Sequence, residues 1–408
     1  MWHTITFELT QHDGAALNRI YMYLDGGTTV TKQGTICFDD LAIGDSVSVI
    51  QTPAYTALEL ALQQATALYE NTVKGGGEGE FPAGSKADLQ AAINAARQVY
   101  EQDDAPPDTV KAMVWDLYDA CATLEASVNA SEMGLVDPHA TKETRYLYGN
   151  LLQSAGKGLV FGMHDVTGYG VGWSGDDDRS DVKDVCGDYP ALYSEDANKI
   201  TRGLQVERMR YRLTSAYRRG GIITFSWHQY DPDDRHFYAD RINNERIVET
   251  IIPGGERHSD YKEKLRRLAL FLKSLRGDTG ESIPVIFRPY HEHLGDWFWW
   301  GAAHCTKSEY NTLWQFTVDY MRDSLNVHNL IWAFSPSLNH IDQGDDYFDV
   351  YPGDEYVDIF GTDNYFSHPV SKMARDQFRI GLHKVVEHAN ARNKLPALTE
   401  VGQEGLKP

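Results

Sequence analysis

The pattern of apolar and polar positions changes twice along the chain and divides it into three parts. In residues 1–50, short runs rich in Ile, Val, Tyr, Phe and Thr are separated by Asp-Gly turns. This pattern predicts β-strands at His3–Leu9, Arg19–Leu24 and Thr35–Val49. Three strands are too few for a β-sandwich of the usual size, so we expect a partial β-sandwich.

Residues 54–130 show a helical pattern instead. Apolar positions recur at intervals of four, three and four residues in three successive sets: Leu58, Leu62, Ala65 and Tyr69; Leu89, Ile93, Ala96 and Tyr100; Val110, Val114, Leu117 and Cys121. The glycine-rich stretch 74–79 and the sequence Ala105-Pro106-Pro107 separate the sets. Three amphipathic helices with matching apolar stripes predict a small antiparallel three-helix bundle, which we interpret as a structural spacer.

From residue 138 to residue 408, apolar runs of strand length alternate with helical stretches such as Asp260–Leu275 and Thr312–Ser324. The predicted strands are Leu159–Met163, a short one near Cys186–Tyr189, Gly221–Trp227, Ile283–Phe287, Asn329–Phe334, Val357–Phe360 and Leu395–Leu398. Strands that alternate with helices predict an α/β fold with a parallel sheet, and seven of them favour a TIM (β/α)8 barrel.

Ionisable residues follow five of these strands, at the ends where TIM barrels carry their catalytic groups. They are His164-Asp165 after the first strand, Trp227-His228 after the third, His291-Glu292 after the fourth, Thr362–Tyr365 after the sixth and Thr399-Glu400 after the seventh. Any one histidine is better explained as a structural residue. Five strand ends that converge on one barrel face predict an active site.

The stretch Val285–Gly301 is the most informative of these. A buried strand is followed by Arg288, His291 and Glu292, and then by four aromatic residues at Trp297–Trp300. Glu292 can give and accept protons, and indole rings offer flat apolar faces to sugar rings. A strand followed by an ordinary surface loop is the alternative, but it would leave an unusual exposed apolar patch. The stretch therefore predicts a carbohydrate site.

Composition narrows the range of partners. The 408 residues are 42% hydrophobic, 24% charged and 12% aromatic, which is typical of a globular protein with two or three domains. A net charge of −21 argues against nucleic acid and against an anionic membrane, and it is compatible with a neutral polymer. No apolar run approaches the ~20 residues that span a bilayer, so we expect no membrane insertion. The four cysteines form no C-x-x-C pair, which disfavours a zinc clip.

Two motifs, Arg288–Gly301 and Leu398–Gly402, resemble the catalytic motifs of glycoside hydrolase family 26, whose commonest members are endo-β-mannanases. Further matches are Phe161–Asp165, Tyr169–Trp173, Ser180–Pro190, Phe225–His228 and Phe360–Tyr365, so that the resemblance spans residues 138–408. It implies a TIM-barrel enzyme that cleaves β-1,4-mannosidic bonds in mannan, glucomannan or galactomannan, with no metal and no cofactor.

The resemblance also implies roles for individual residues. Glu292 matches the acid/base and Glu400 the nucleophile of a retaining mechanism, which needs two carboxyl groups ~5–5.5 Å apart. The residues implied to bind or position the substrate are His164, Asp165, Trp173, His228, His291, Trp297 and Tyr365. The fourth and seventh strand ends face each other across an eight-stranded barrel, so the two glutamates can meet at that separation.

Two weaker resemblances concern the first 130 residues. The predicted bundle is similar to FIVAR-type three-helix modules of extracellular bacterial proteins, and Gly34–Asp45 looks like the last strand of a jelly-roll carbohydrate-binding module. These resemblances imply a multidomain protein that works outside the cell, on the cell surface or in the periplasm, although the chain begins with no signal peptide. We expect it to be monomeric.

The chain departs from the family pattern in one respect. The family's barrel has an eighth strand after the nucleophile strand, whereas this chain stops at Pro408, soon after Glu400. We therefore expect a truncated chain in which the strands Leu159–Met163 and Leu395–Leu398 leave free edges. Such a barrel should be marginally stable and weakly active.

Three alternatives remain open. The same fold could act on β-1,3-xylan or on mixed-linkage β-glucan. A metal-dependent barrel hydrolase would use His164, His228, His291 and His293 as ligands, although it would normally carry a His-x-His pair on its first strand. A non-catalytic sugar-binding protein would keep the aromatic residues but lose a glutamate.

The run Asp176–Asp178 is interpreted as a solvated loop, although such runs sometimes hold calcium.

Overall fold

A computed structural model describes residues 53–102, 104–129, 134–337, 346–367 and 370–404. The chain divides into two compact units, Met1–Ile50 and Gln51–Pro408, and the described residues belong to the second. The strands predicted in residues 1–50 lie outside the described residues.

The first three helices of the described part pack into a bundle. They are α1 (Pro53–Asn71), α2 (Ala87–Gln102) and α3 (Pro107–Ala126). Their predicted apolar stripes form one buried cluster, in which Leu58, Leu89 and Val110 are fully or almost fully buried. α3 begins at a proline, where the missing N–H costs no helical hydrogen bond.

Seven parallel strands form the sheet of the remaining described residues, in the order β1-β4-β5-β6-β7-β8-β9. They are β1 (Gly162–His164), β4 (Leu192–Asp196), β5 (Ile222–Trp227), β6 (Val285–Pro289), β7 (Leu330–Phe334), β8 (Ile359–Ser367) and β9 (Leu395–Glu404), while β2 (Tyr169–Gly170) and β3 (Trp173–Ser174) make a small antiparallel hairpin.

Helices precede and connect these strands. They are α4 (Lys142–Ser154), α5 (Asp181–Cys186), α6 (Asn198–Thr201), α7 (Val206–Arg218), α8 (Val248–Ile251), α9 (His258–Ser274), α10 (Lys307–Asp319), α11 (Asp346–Asp349) and α12 (Lys372–Ala391). A curled parallel sheet with interleaved helices confirms the TIM-barrel architecture, with one strand missing. β1 and β9 are its edges, and no strand of the described residues pairs with the outer side of either.

The central strands are buried on both faces, as their continuous apolar runs predict. In β6, Val285 and Phe287 join the large cluster that the sheet shares with its surrounding helices. Ile286 points to the other side and joins a smaller cluster with Ile331, Ile359 and Tyr148 of α4. The barrel strands are therefore held by apolar packing on both sides, which fixes the positions of their ends.

Two strand predictions differ from the structure. The first, Leu159–Met163, is right only for Gly162–Met163, because β1 spans Gly162–His164 and the preceding Leu159 is 90% exposed. The segment Cys186–Tyr189 is not a strand, because α5 extends to Cys186 and Gly187 ends it with a φ of 82°. The strand in this region is β4, which begins three residues further on. Its polar residues interrupt the apolar run on which the strand predictions were based. One of them, Glu195, is buried because Arg212 lies 2.6 Å away.

Polar contacts attach the bundle to the barrel. Glu125 of α3 accepts hydrogen bonds from the backbone N–H and the hydroxyl of Ser282, at 2.7 and 2.8 Å, and lies 3.2 Å from the guanidinium of Arg276. All three residues are buried. Ser282 and Arg276 belong to the loop that leads into β6, so the bundle supports the strand that carries the central motif.

We expect Glu125→Ala to lower the free energy of unfolding by roughly 3–5 kcal/mol, because Arg276 would remain buried without its partner. Urea unfolding of the full chain measures this. The control is Asp108→Ala on the same helix, whose partner Lys111 is exposed and whose ion pair is worth roughly 0–1 kcal/mol. Equal destabilisation by the two variants would contradict the role assigned to Glu125.

Candidate active site

The turn after β6 has an unusual backbone. Tyr290 and Glu292 have φ angles of 49° and 55°, a region that residues other than glycine rarely adopt and that costs roughly 1–3 kcal/mol per residue. Two hydrogen bonds hold the turn: the N–H of Glu292 donates to the carbonyl of Ser335 at 2.8 Å, and the indole N–H of Trp300 donates to the carbonyl of His291 at 2.8 Å. This conformation sets the direction of the Glu292 side chain.

Glu292 lies in an environment that favours its protonated form. Burial raises the pKa of its carboxyl group, and the nearby charge of Glu400 raises that pKa further. The indole N–H of Trp297 donates to Glu292 at 2.8 Å and acts in the opposite direction, but it does not cancel the rise. These surroundings favour the form of Glu292 that can donate a proton.

A β-bulge places Glu400. The register of β8 and β9 shifts between Thr362 and Asp363, which leaves Thr399 without a counterpart and puts Glu400 opposite Asp363. A bulge next to a site re-aims a side chain, here towards the strand end. Gly361 makes room for it, because a Cβ at that position would lie 2.6 Å from the Thr399 methyl group.

Glu400 is held in its ionised form. Burial alone would raise the pKa of Glu400, but the charge of Arg288 and hydrogen bonds from Tyr365 and Arg288 outweigh burial and bring that pKa below its usual value. Nη2 of Arg288 is 2.5 Å from Glu400, and the hydroxyl of Tyr365 donates to the other carboxylate oxygen. Gly402 leaves space for the Tyr365 ring, which a Cβ there would overlap.

Arg288 joins two carboxylates at the centre of the site. It is buried, and it contacts both Glu400 and Asp363. Thr399 donates its hydroxyl to Asp363 at 2.7 Å. One possible metal-ligand atom from each of His291, Asp363 and Glu400 lies within 4.8 Å of the other two. This is the only such group of His, Cys, Asp or Glu residues found among the described residues. The guanidinium already contacts both of these carboxylates, so this set does not fit a metal ion.

The four histidines of the metal hypothesis do not share one environment. His228 and His291 are in contact, with their Nε2 atoms 3.3 Å apart, and Nδ1 of His164 is 3.0 Å from the Ser194 hydroxyl. His293 is part of the core: it is 1% exposed, and its Nδ1 is 2.6 Å from the carbonyl of Trp300. Its contacts therefore explain His293 as a structural histidine.

Three of the predicted substrate-binding residues are buried: His291, Asp165 and Trp173. Asp165 is 4% exposed and accepts a hydrogen bond from Lys199 at 2.8 Å. Trp173 is 8% exposed, its indole N–H lies 2.5 Å from Asp181, and the guanidinium of Arg179 is 5.2 Å from the centre of its ring. Asp165 ties the loop after β1 to α6, and Trp173 ties β3 to α5. Trp297 and Tyr365 contact the two glutamates, His228 and His291 contact each other, and His164 contacts Ser194 and Asp165.

The carboxylates of Asp176–Asp178 are matched by arginines. Arg179 lies 3.2 Å from Asp176, Arg208 lies 3.2 Å from Asp177, and Arg219 lies 2.8 Å from Asp178. These pairs explain the acidic run without a bound cation.

Three residues of the site were not among those predicted individually: Arg288, Asp363 and Asp196. Arg288 and Asp363 lie inside the motifs, and the signal for each was a charge within an apolar strand. Asp196 was missed because the strand that it ends, β4, was predicted in the wrong place.

The family model for glycosyl hydrolase family 26 matches residues 136–405. This chain belongs to glycoside hydrolase family 26. The matched range includes every strand of the barrel, and it confirms the family to which the sequence motifs pointed.

Relatives of this family 26 chain include two enzymes named mannan endo-1,4-beta-mannosidase. That of Bifidobacterium adolescentis is 32% identical over 300 residues, which cover 69% of this chain and 29% of the relative. That of Thermothelomyces thermophilus is 27% identical over 289 residues, which cover 66% of this chain and 56% of the relative. The chain thus spans less than two thirds of the length of these relatives.

Solved structures of family 26 are similar as well. A GH26 β-mannanase from Bacteroides ovatus has a TM-score of 0.61 and 40% identity, with 65% of this chain and 78% of that chain covered. A modular endo-β-1,4-mannanase from Cellulomonas fimi has a TM-score of 0.62 and 34% identity, with 67% of this chain and 63% of that chain covered.

The two glutamates should titrate far apart. We expect carboxyl-labelled NMR to show the pKa of Glu292 above the ordinary value of ~4.3 and that of Glu400 below it. Trp297→Phe removes a hydrogen bond to ionised Glu292, so the pKa of Glu292 should rise further. Trp115→Phe, on α3, is the matched control and should leave both values unchanged. A lower pKa for Glu292 than for Glu400 would refute this assignment.

Proposed function

We propose that this chain is a retaining endo-glycoside hydrolase that cleaves β-1,4-mannosidic bonds in mannan, glucomannan or galactomannan. The observation that carries the proposal is the opposite polarisation of the two glutamates: burial and a neighbouring carboxylate favour protonated Glu292, whereas Arg288 and Tyr365 favour ionised Glu400. Two carboxyl groups in these states are what double displacement requires. The names of the relatives support the choice of a mannan-type substrate.

The mechanism follows from these states. Ionised Glu400 attacks the anomeric carbon while Glu292 donates its proton to the leaving oxygen, and the glycosidic bond breaks. Glu400, now an ester, no longer carries the charge that raised the pKa of Glu292. Glu292 then takes a proton from a water molecule that attacks the anomeric carbon. The bond from that carbon to Glu400 breaks, Glu400 leaves as a carboxylate, and the product keeps the starting anomeric configuration.

The remaining predicted residues receive supporting roles in this proposal. Trp297 is 37% exposed beside Glu292 and offers its ring to the sugar, while its indole N–H orients the acid. Tyr365 orients the nucleophile. His164, His228 and His291 line the cleft between the strand ends, and the buried residues Asp165 and Trp173 act through the loops that they hold.

We further propose the setting in which this chain works. The bundle is a FIVAR-like module, residues 1–50 are the end of a carbohydrate-binding jelly roll, and the protein is a secreted, surface-bound or periplasmic multidomain monomer. The described residues contain no helix of the length and apolarity needed to cross a bilayer. The partner is a β-mannan-type polysaccharide or oligosaccharide, and the reaction uses neither a metal nor a cofactor.

Product analysis on a panel of mannan, glucomannan, β-1,3-xylan and lichenan tests the function. We expect the full chain to release oligosaccharides fastest from mannan or glucomannan, and NMR during the first turnovers to show retained anomeric configuration. Faster release from xylan or lichenan would change the substrate, and an inverted product would exclude double displacement.

The matched control is Glu400→Ala. It should abolish turnover while leaving the melting temperature close to that of the unsubstituted chain, because Glu400 is not part of an apolar core. Binding of mannan without turnover by the unsubstituted chain would favour the non-catalytic alternative.

Activity should survive EDTA, because Arg288 already places a positive charge in contact with both carboxylates. The measurement is the initial rate on mannan after dialysis against chelator. Loss of the rate and its recovery with zinc would instead favour the metal-dependent hydrolase.

A further inference from the structure

A line of three side chains runs from the end of β4 into the site. Oδ2 of Asp196 is 2.8 Å from Nδ1 of His228, and Nε2 of His228 is 3.3 Å from Nε2 of His291. The other carboxylate oxygen, Oδ1, accepts backbone N–H groups from Asn198 at 2.9 Å and from His228 at 3.2 Å. Asp196 is therefore fixed in orientation by two backbone donors.

The hydrogen bonds in this line determine where the protons lie. Nδ1 of His228 faces a carboxylate and must carry a hydrogen, so Nε2 of neutral His228 is a bare acceptor. His291 must then donate from its own Nε2. Burial, with the charge of Arg288, holds the pKa of His291 well below its usual value, which keeps that ring neutral.

The remaining nitrogen of His291 supports this assignment. Nδ1 of His291 is buried and has no hydrogen-bond partner among the described residues. As a bare acceptor it tolerates this position better than an N–H group would, because buried donors without partners are rarer in proteins than underused acceptors. A protonated His228 would reverse the line and leave a buried N–H at this atom.

We propose that Asp196 is a positioning residue that sets the tautomers of both His228 and His291. Through them it determines which polar atoms line the cleft: His228 is partly exposed there, and His291 has a ring nitrogen within 4.8 Å of carboxylate oxygens of Glu400 and Asp363. The neutral ring leaves Arg288 as the cation that pairs with Glu400. The effect on catalysis rests on the proposed function, whereas the tautomers do not.

Asp196→Asn gives a sharp test, because the two backbone donors require the oxygen of the new amide at the Oδ1 position. The NH2 group must then face Nδ1 of His228, which becomes the acceptor. His228 carries its hydrogen on Nε2, His291 accepts there, and Nδ1 of His291 becomes a buried N–H without a partner. Asparagine has the same shape as aspartate, but it reverses the direction of the hydrogen bonds between the three side chains.

The readout is the ¹⁵N NMR spectrum of histidine-labelled full chain, assigned with single His→Gln variants. We expect Nδ1–H on His228 and Nε2–H on His291 in the unsubstituted protein, and both reversed in Asp196→Asn. kcat/KM on mannan should fall roughly 10- to 100-fold, as expected for one buried unpaired donor. Ser194→Ala, two residues away on β4, removes the hydroxyl near His164 and should leave both tautomers unchanged.

Each possible result bears on a different part of the proposal. Nδ1–H on His291 in the unsubstituted protein overturns the proposal even if the variant does not fold, and so does a variant whose tautomers are unchanged. Reversed tautomers with an unchanged kcat/KM overturn the positioning role. If the unsubstituted chain cleaves no mannan, the proposed function fails while the spectra still decide what Asp196 does.

Discussion

The site depends on one buried cation. Arg288 lies near the end of a strand that is buried on both faces. A guanidinium group can be buried there only because it pairs with Asp363 and Glu400. The interaction acts in both directions. The two carboxylates offset the free-energy cost of burying the guanidinium charge. That charge in turn favours the ionised form of Glu400, although this side chain is largely buried. Removing Arg288 would leave two carboxylates without their cation, whereas removing Glu400 would leave Arg288 paired with Asp363.

This arrangement separates two groups that are chemically identical. Glu292 and Glu400 have the same side chain and are both mostly buried, which by itself would raise the pKa of each. Of the two, only Glu400 accepts hydrogen bonds from a cation and a tyrosine hydroxyl, which lower its pKa, and the charge of Glu400 then raises the pKa of Glu292. In the proposed mechanism, the different roles of the acid and the nucleophile come from the neighbouring residues and not from residue type.

The backbone is distorted at both places where these groups are presented. Glu292 has a positive φ, and Thr399 is the extra residue of a bulge beside Glu400. Glu292 follows β6, whose residues are all buried, whereas Glu400 lies on the edge strand β9, where contacts from Arg288 and Tyr365 hold its side chain. The bundle contributes at the opposite end of β6 through the buried carboxylate of Glu125.

The sequence by itself determined the three-part pattern and the parallel α/β architecture, and it pointed to the two glutamates that we propose as catalytic, because apolar periodicity and motif spacing are local properties of the chain. The tertiary structure alone decided the position of β4, whose buried Glu195 needs Arg212 from a distant helix. It also decided that Asp196 belongs to the site and that Trp173 is buried against Asp181. Burying a polar group costs little free energy only when the group has a hydrogen-bond or charge partner. Partners that are separated along the sequence come into contact only in the folded chain.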